Sequence, residues 1–297
     1  MRTESFTEAL GSVIDTRAQR PGEIAERAKA RSKRTTPFGA KELIIAADHP
    51  ARGTLRAGSN PMAMANRAEL LRRLCVALAR PGVTGVLGTA DILEDLLLLG
   101  ALENRTVFAS MNRGGLAGAS FEVDDRFTAY NAKSIQDFAY DGGKMLLRVD
   151  LSDDRTARTL ESCAQAVNEL ADRGLTAMVE PFMSTRVDGK LKNDLSVESA
   201  TLAMTIAAGL GHTSAHTWLK VPVIGDGADD MAQVLSATTL PTLLLGGEVS
   251  TDATATYARW GAALRHPTVR GLVVGRSLLY PPDDDVAGAV DTAAGLL

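Results

Sequence analysis

A lysine stands inside the apolar run HTWLKVP, at Lys220. Lysine is rarely buried unless a partner or a reaction holds it there. Other ionisable residues occupy similar places in other apolar runs. Asp48 closes LIIAADHP, Glu180 follows TAMV, and Lys144, Arg148 and Asp150 alternate along KMLLRVD. An amine that attacks a carbonyl must be neutral, and burial beside a cation lowers its pKa from about 10.4 toward neutrality. Lys144 or Arg148 could supply that cation. A buried Glu180 must be paired or must carry protons. A plain Lys220–Glu180 ion pair, and Asp48 as a turn cap, stay open at this level.

A second pattern is GG at Gly246–Gly247 and GR at Gly275–Arg276. Glycines after two late strands let backbone N–H groups approach a phosphate, and an arginine grips its oxygens with parallel bonds. His49 follows Asp48 and could line the same site. His212 and His216 have i, i+4 spacing, but no glutamate follows and they precede a strand, so no metal is expected there. RGGLAGAS (113–120) lacks the G-x-G-x-x-G frame and reads as a mobile loop able to cover substrate. Neither a Walker motif nor a G-x-S-x-G elbow occurs.

The elements that must position these residues follow a rhythm of short β-branched runs and longer helical patterns. Strands are expected at 42–48, 84–89, 106–111, 144–150, 176–182, 216–221, 241–247 and 270–276. Several of the helical connectors open with Thr, Ser or Asp at an N-cap position and close near Gly. Eight such units predict an α/β fold, a (β/α)8 TIM barrel over 41–297, with an N-terminal helical extension over 1–40. An open doubly wound sheet is the competitor, and the unbroken repetition favours closure. PGEIAERAKARSKR in the extension reads as a surface helix covering one barrel end. In such barrels the active site lies at the C-terminal ends of the strands. Period two then points Asp48, Lys144, Arg148, Glu180 and Lys220 inward at that mouth.

The chain has 297 residues, is 45% apolar and 23% charged, and carries a net charge of −4. These values suit a globular protein with a large core and give no reason to expect nucleic acid or a membrane as partner. DILEDLLLLGAL is broken by acids and too short to span a bilayer. Cys75 and Cys163 lie in helical patterns and read as buried free thiols. With no apolar signal core at the start, a cytoplasmic location is expected.

At these residues the sequence resembles the class I, Schiff-base aldolases of the deoxyribose-phosphate and tagatose-bisphosphate aldolase superfamily. AADHP matches their first-strand acid, GGKMLLRVD their fourth-strand lysine, and MVEPF their fifth-strand glutamate. WLKVPV matches their Schiff-base lysine and VVGRSLL the last part of their phosphate site, across about residues 40–280. Those enzymes carry a serine where Gly246 stands. The chain also resembles uncharacterised actinobacterial barrels associated with inositol catabolism. The resemblance implies a lyase that needs no cofactor and no metal and acts on a phosphorylated keto sugar or sugar acid. The inositol association would make this 5-dehydro-2-deoxy-6-phosphogluconate, split to dihydroxyacetone phosphate and malonate semialdehyde. Lys220 would form the iminium, Glu180 would move protons, and Asp48 would be the base. Lys144 would hold the amine's pKa down, with Arg148 its rival. Gly246, Gly247, Gly275, Arg276, Arg148 and His49 would bind substrate and its phosphate. The alternatives are a phosphorylated-dione thiolase or transaldolase-like enzyme using the same lysine, and a phosphosugar-binding barrel without turnover. The expected partner is a phosphorylated small molecule, and self-association into a homo-oligomer is left open.

Overall fold

The computed structural model describes residues 3–112, 116–225, 228–250 and 252–297. Two helices, α1 (Thr3–Gln19) and α2 (Gly22–Ala30), precede the first strand, β1 (Glu42–Ala46). Then follow α3 (Arg67–Leu78), β2 (Gly85–Gly88), α4 (Ala90–Leu98), β3 (Thr106–Ser110), α5 (Ala132–Asp137) and β4 (Gly142–Val149). The second half holds α6 (Arg155–Ala171), β5 (Thr176–Val187), β6 (Lys190–Asn193), α7 (Val197–Ala208), β7 (Thr217–Val221) and α8 (Ala228–Leu235). It ends with β8 (Thr242–Leu245), α9 (Ala253–Ala263), β9 (Val269–Val274), α10 (Arg276–Leu279) and α11 (Val286–Ala294).

Eight parallel strands run in the order β4-β3-β2-β1-β9-β8-β7-β5, and a β4–β5 pairing closes the ring. The expected (β/α)8 barrel is therefore the fold. Every residue of β1 through β4 is buried. Strands covered by helices on one side and by barrel interior on the other have no wet face, which is why they read as continuous apolar runs. The helices begin where short polar side chains cap them: Ser196 accepts from the N–H of Ser199, Asp252 from Ala255 and Asp285 from Gly288. Each cap satisfies a backbone donor that the first helical turn leaves free. On α6 the buried residues Thr156, Thr159, Cys163, Ala166, Val167 and Leu170 recur at three and four positions, the stripe that packs on β4 and β5. Cys163 is buried as expected, but Cys75 only partly; both thiols are free.

Three features depart from the sequence reading. β5 runs on to Val187 and folds back as β6, pairing Val187 with Lys190. Asp188 and Gly189 between them both have positive φ, 52° and 75°, the backbone that a two-residue hairpin turn of matching twist demands. This hairpin extends from the fifth barrel strand. Secondly, the barrel end is covered less by the N-terminal helix than by the segment after it. α2 packs on α4, while buried Arg31 donates to the carbonyls of Leu102, Arg105 and Ala139 in the turns entering β3 and β4. Phe38 then enters the barrel floor against Trp218 (ring centroids 4.4 Å) and Phe108 (5.3 Å). Thirdly, β1 stops at Ala46, two residues before Asp48. Of the loop expected over 113–120, residues 113–115 lie outside the described residues. The remainder forms turns tied down by Ala117 N–H to the Arg52 carbonyl and Gly118 N–H to Glu122 Oε2. No helix among the described residues is long and apolar enough to cross a membrane.

Candidate active site

Inside the barrel, Ile44, Ala46, Leu87, Phe108, Met178, Leu243 and Val273 form one apolar cluster, with Phe38 and Trp218 against it. The inward phase of each strand continues upward from this cluster into charge. Register places Lys144 beside Met178, Leu146 beside Glu180, and Met178 beside Trp218. Lys220 lies two residues above Trp218, so it emerges one layer nearer the mouth than Lys144.

Four buried ionisable groups meet there. Lys220 Nζ donates to Glu180 Oε1 at 2.9 Å. Lys144 Nζ contacts the other oxygen, Oε2, at 2.6 Å and donates to Asp48 Oδ2 at 2.9 Å. Glu180 is thus shared by two ammonium groups, and Lys144 by two carboxylates. The environments push the two lysines apart. Burial is the largest influence on both and favours the neutral amine. On Lys144 the attraction of Asp48 and Glu180 outweighs burial, and its pKa is raised. On Lys220, burial together with the charge of Lys144 outweighs Glu180 and Asp48, and its pKa is lowered. Burial opposes ionisation of Glu180 and Asp48 also, but Lys144 leads the charges that overcome it, and both stay carboxylates. Neighbours thus drive two like groups in opposite directions, and Lys220 is the more easily deprotonated of the two lysines.

Above this quartet opens a cavity of about 620 Å³ at the C-terminal ends of the strands. Lys220 and Glu180 form part of its wall, with Arg148, His49, Gly246, Gly247, Gly275 and Arg276. All the residues expected to contact substrate therefore converge, although Asp48 and Lys144 stand behind the wall rather than on it. Asp48 Oδ1 lies 3.8 Å from Nδ1 of His49, whose pKa is pushed down to about 3 mainly by burial, so the imidazole is neutral. Arg148 Nη1 is bonded to Glu122, and Lys144 is the cation that shares Glu180 with Lys220.

Two of the late glycines, Gly246 and Gly275, stand where a Cβ would not fit. A Cβ on Gly246 would sit 2.4 Å from Val274 Cγ1, so a serine cannot occupy this position unless Val274 moves. Glycine at this position therefore has a packing cause. Gly275 caps the short α10, whose first residue is Arg276.

Sequence reasoning missed Arg52 and Arg259, which also line the cavity. Arg52 ends a three-residue helical turn after β1, Pro50–Arg52, and Arg259 sits on α9, where its Nη2 donates to the carbonyls of Val223 and Gly225. An arginine four residues beyond a strand-end acid was the available signal for Arg52. His212 and His216 precede β7, at the opposite end of the barrel. Among the described residues no group of three or more His, Cys, Asp or Glu could hold a metal ion.

A family model described as Cgl0159-like matches residues 40–294. The crystal structure of Cgl0159 from Corynebacterium glutamicum is 54% identical, covers 97% of this chain and 96% of its own, and superposes with a TM-score of 0.93. A Schiff-base-forming fructose-1,6-bisphosphate aldolase is 18% identical over 92% of this chain and 99% of its own, TM-score 0.65. An archaeal fructose 1,6-bisphosphate aldolase is 17% identical over 92% and 98%, TM-score 0.64. The likeness to these aldolases is one of fold. No curated protein matches the chain.

Proposed function

The chain belongs to the Cgl0159-like family, and we propose that it is a class I aldolase that cleaves a phosphorylated keto sugar or sugar acid through a Schiff base on Lys220. One observation carries the reading: a buried amine with a lowered pKa, bonded to a carboxylate that a second lysine keeps ionised, faces an open cavity. A purely structural ion pair has no need of a cavity before it.

In this reading Lys220 passes a proton to Glu180 Oε1, at 2.9 Å, and its lone pair forms a C–N bond to the substrate ketone. A proton moves from the new C–N nitrogen to the alkoxide to give the carbinolamine, Glu180 returns its own proton to that hydroxyl, which leaves as water, and the iminium remains. The iminium then accepts the electron pair released as the carbon–carbon bond breaks. Asp48 takes the proton of the hydroxyl on the carbon that departs as aldehyde. Because Asp48 lies behind the cavity wall, that hydroxyl must reach the depth of Lys144, or its proton must pass by way of His49. Lys144 fixes both carboxylates and keeps Lys220's pKa low. Gly246, Gly247, Gly275 and Arg276 would take the phosphate. Among such substrates, 5-dehydro-2-deoxy-6-phosphogluconate is our specific candidate.

Borohydride reduction tests the mechanism. With a ketose phosphate present, the peptide containing Lys220 should gain the mass of the reduced adduct. An intact protein that cleaves a ketose phosphate yet gains none would overturn it.

A further inference from the structure

We propose that two copies of this chain associate through the free edge of β6, antiparallel, about a two-fold axis at Asn193. The inference does not depend on the proposed function. The hairpin that leaves the eight-stranded ring is then a contact between copies.

The first support is the backbone. β6 stands last in the sheet order and, among the described residues, pairs only with β5. The ladder runs one residue beyond β6, because Asp194 N–H bonds the carbonyl of Met183. Along an antiparallel strand, successive residues point their backbone groups alternately toward the partner and away. Lys190, Lys192 and Asp194 therefore bond toward β5, while Leu191 and Asn193 turn their N–H and C=O outward. Leu195 continues the outward phase, and its backbone groups have no hydrogen bond among the described residues. No residue of β6 is buried. Such a bare edge is a template for a further strand.

The second support is charge complementarity, which selects a second copy as the occupant. The run Leu191-Lys192-Asn193-Asp194-Leu195 complements itself when reversed about Asn193. Laid antiparallel on its own copy, Leu191 lies opposite Leu195, Lys192 opposite Asp194, and Asn193 opposite Asn193. The outward-facing residues then meet one another, as the bonded positions of an antiparallel ladder require. Other registers in the same phase fail. A centre on Leu191 or Lys192 sets lysine against lysine, and a centre on Asp194 sets carboxylate against carboxylate; like charges directly opposite destabilise. Edge lysines ordinarily deter pairing. Here they exclude the wrong registers, and Lys192 finds a carboxylate in the right one. Apolar surface lies alongside. Leu195 is 54% exposed, and Phe121, Leu151 and Val187 are exposed as well. Arg186, next to Val187, bonds the Ser120 carbonyl and pairs with Asp153, which gathers these three together. They extend the contact beyond a five-residue edge, which is too small for a stable dimer on its own. A two-fold contact of this kind closes on itself. Asn193 and Leu195 also line the cavity, so each copy borders the other's site.

Sedimentation of the full-length protein over about 1–100 μM, where mass action reveals a dissociating pair, should show a dimer. Cross-linking then reads the register. Asn193→Cys should join its own copy through a short bis-maleimide, because the facing Cα atoms are about 5.5 Å apart in such a bonded pair. Leu191→Cys should react at least about tenfold less, its two equivalents being roughly 14 Å apart. The unsubstituted protein, with Cys75 and Cys163, sets the background. Lys192→Glu should weaken association about tenfold by turning both cross-strand pairs repulsive, and adding Asp194→Lys should restore it. Asp194 also accepts from Ser196 and Ser199, so Leu191→Pro stands in if that double variant folds poorly. Its missing N–H is an outward one, so the hairpin keeps its bonds and the copies should separate. A monomer at every concentration would overturn the proposal. So would equal cross-linking at Asn193→Cys and Leu191→Cys, or a dimer that tolerates both Lys192→Glu and Leu191→Pro.

Discussion

The two ends of the barrel interior are built from the same inward phase of the same strands and hold opposite contents. At the floor, Phe38, Phe108 and Trp218 meet in an apolar layer. At the mouth, two lysines and two carboxylates are buried together beneath a cavity lined by four arginines. Burying Phe108 completely favours folding by about 2–3 kcal/mol. Burying an ion pair at best roughly offsets its own desolvation, and an apolar replacement is often more stable. The floor is therefore where the fold gains stability, and the mouth is where it gives some up. That division separates stabilising from reactive ends in a parallel barrel.

Substitutions along this axis should separate the two roles. Lys220→Met should have the largest effect, lowering kcat on the order of 10⁴-fold or more, because covalent catalysis has no substitute for its nucleophile. Its melting temperature should hold, since Lys144 still pairs Glu180. A variant that both turns over normally and melts lower would reverse the assignment of the two ends. Phe108→Ala should do the opposite, costing about 3–5 kcal/mol in denaturant unfolding while the folded fraction keeps its turnover. Gly246→Ser should cost about 1–3 kcal/mol through its clash with Val274. Adding Val274→Ala should recover part of that loss, and failure to do so would show that the clash is not the reason for glycine.

The smallest expected effect is in the pH profile. Lys220's folded pKa is depressed, so its neutral form appears below the usual lysine range. kcat/KM should therefore climb with rising pH and level off before about 10.4. Lys144→Met removes the neighbouring cation that favours the neutral amine. The rising limb should then move to higher pH by about one unit, a tenfold loss at pH values below it. A limb that stays put would mean that burial alone sets the amine's pKa.

Much of the site was legible before any coordinates. Period two within strands assigned Lys144, Glu180 and Lys220 to one interior. The strand-end rule placed Gly246, Gly247, Gly275 and Arg276 at the same mouth, where the structure brings them together. The hairpin was legible too and went unread: VDGK at 187–190 carries the Asp-Gly turn signal inside an alternating run. Other features left no such mark. Phe38 lies in a polar stretch that shows no period. Nothing near Arg148 indicates that Glu122, 26 residues earlier, would engage its guanidinium instead of leaving it to Lys220. Arg259 reaches the cavity from helix α9, where the strand-end rule does not look.

By itself the sequence determined eight buried strands and which residues face inward, because strand periodicity is local, while its unbroken repetition only favoured a ring over an open sheet and the β4–β5 pairing closed it. Only the tertiary structure decided which charge meets which. Lys144 and Lys220 look alike as buried lysines in apolar strands, yet one contacts two carboxylates and the other contacts one. Coulomb energies in a buried site depend on separations of a few ångströms between residues 36 to 96 positions apart, and those separations exist only once the ring has closed.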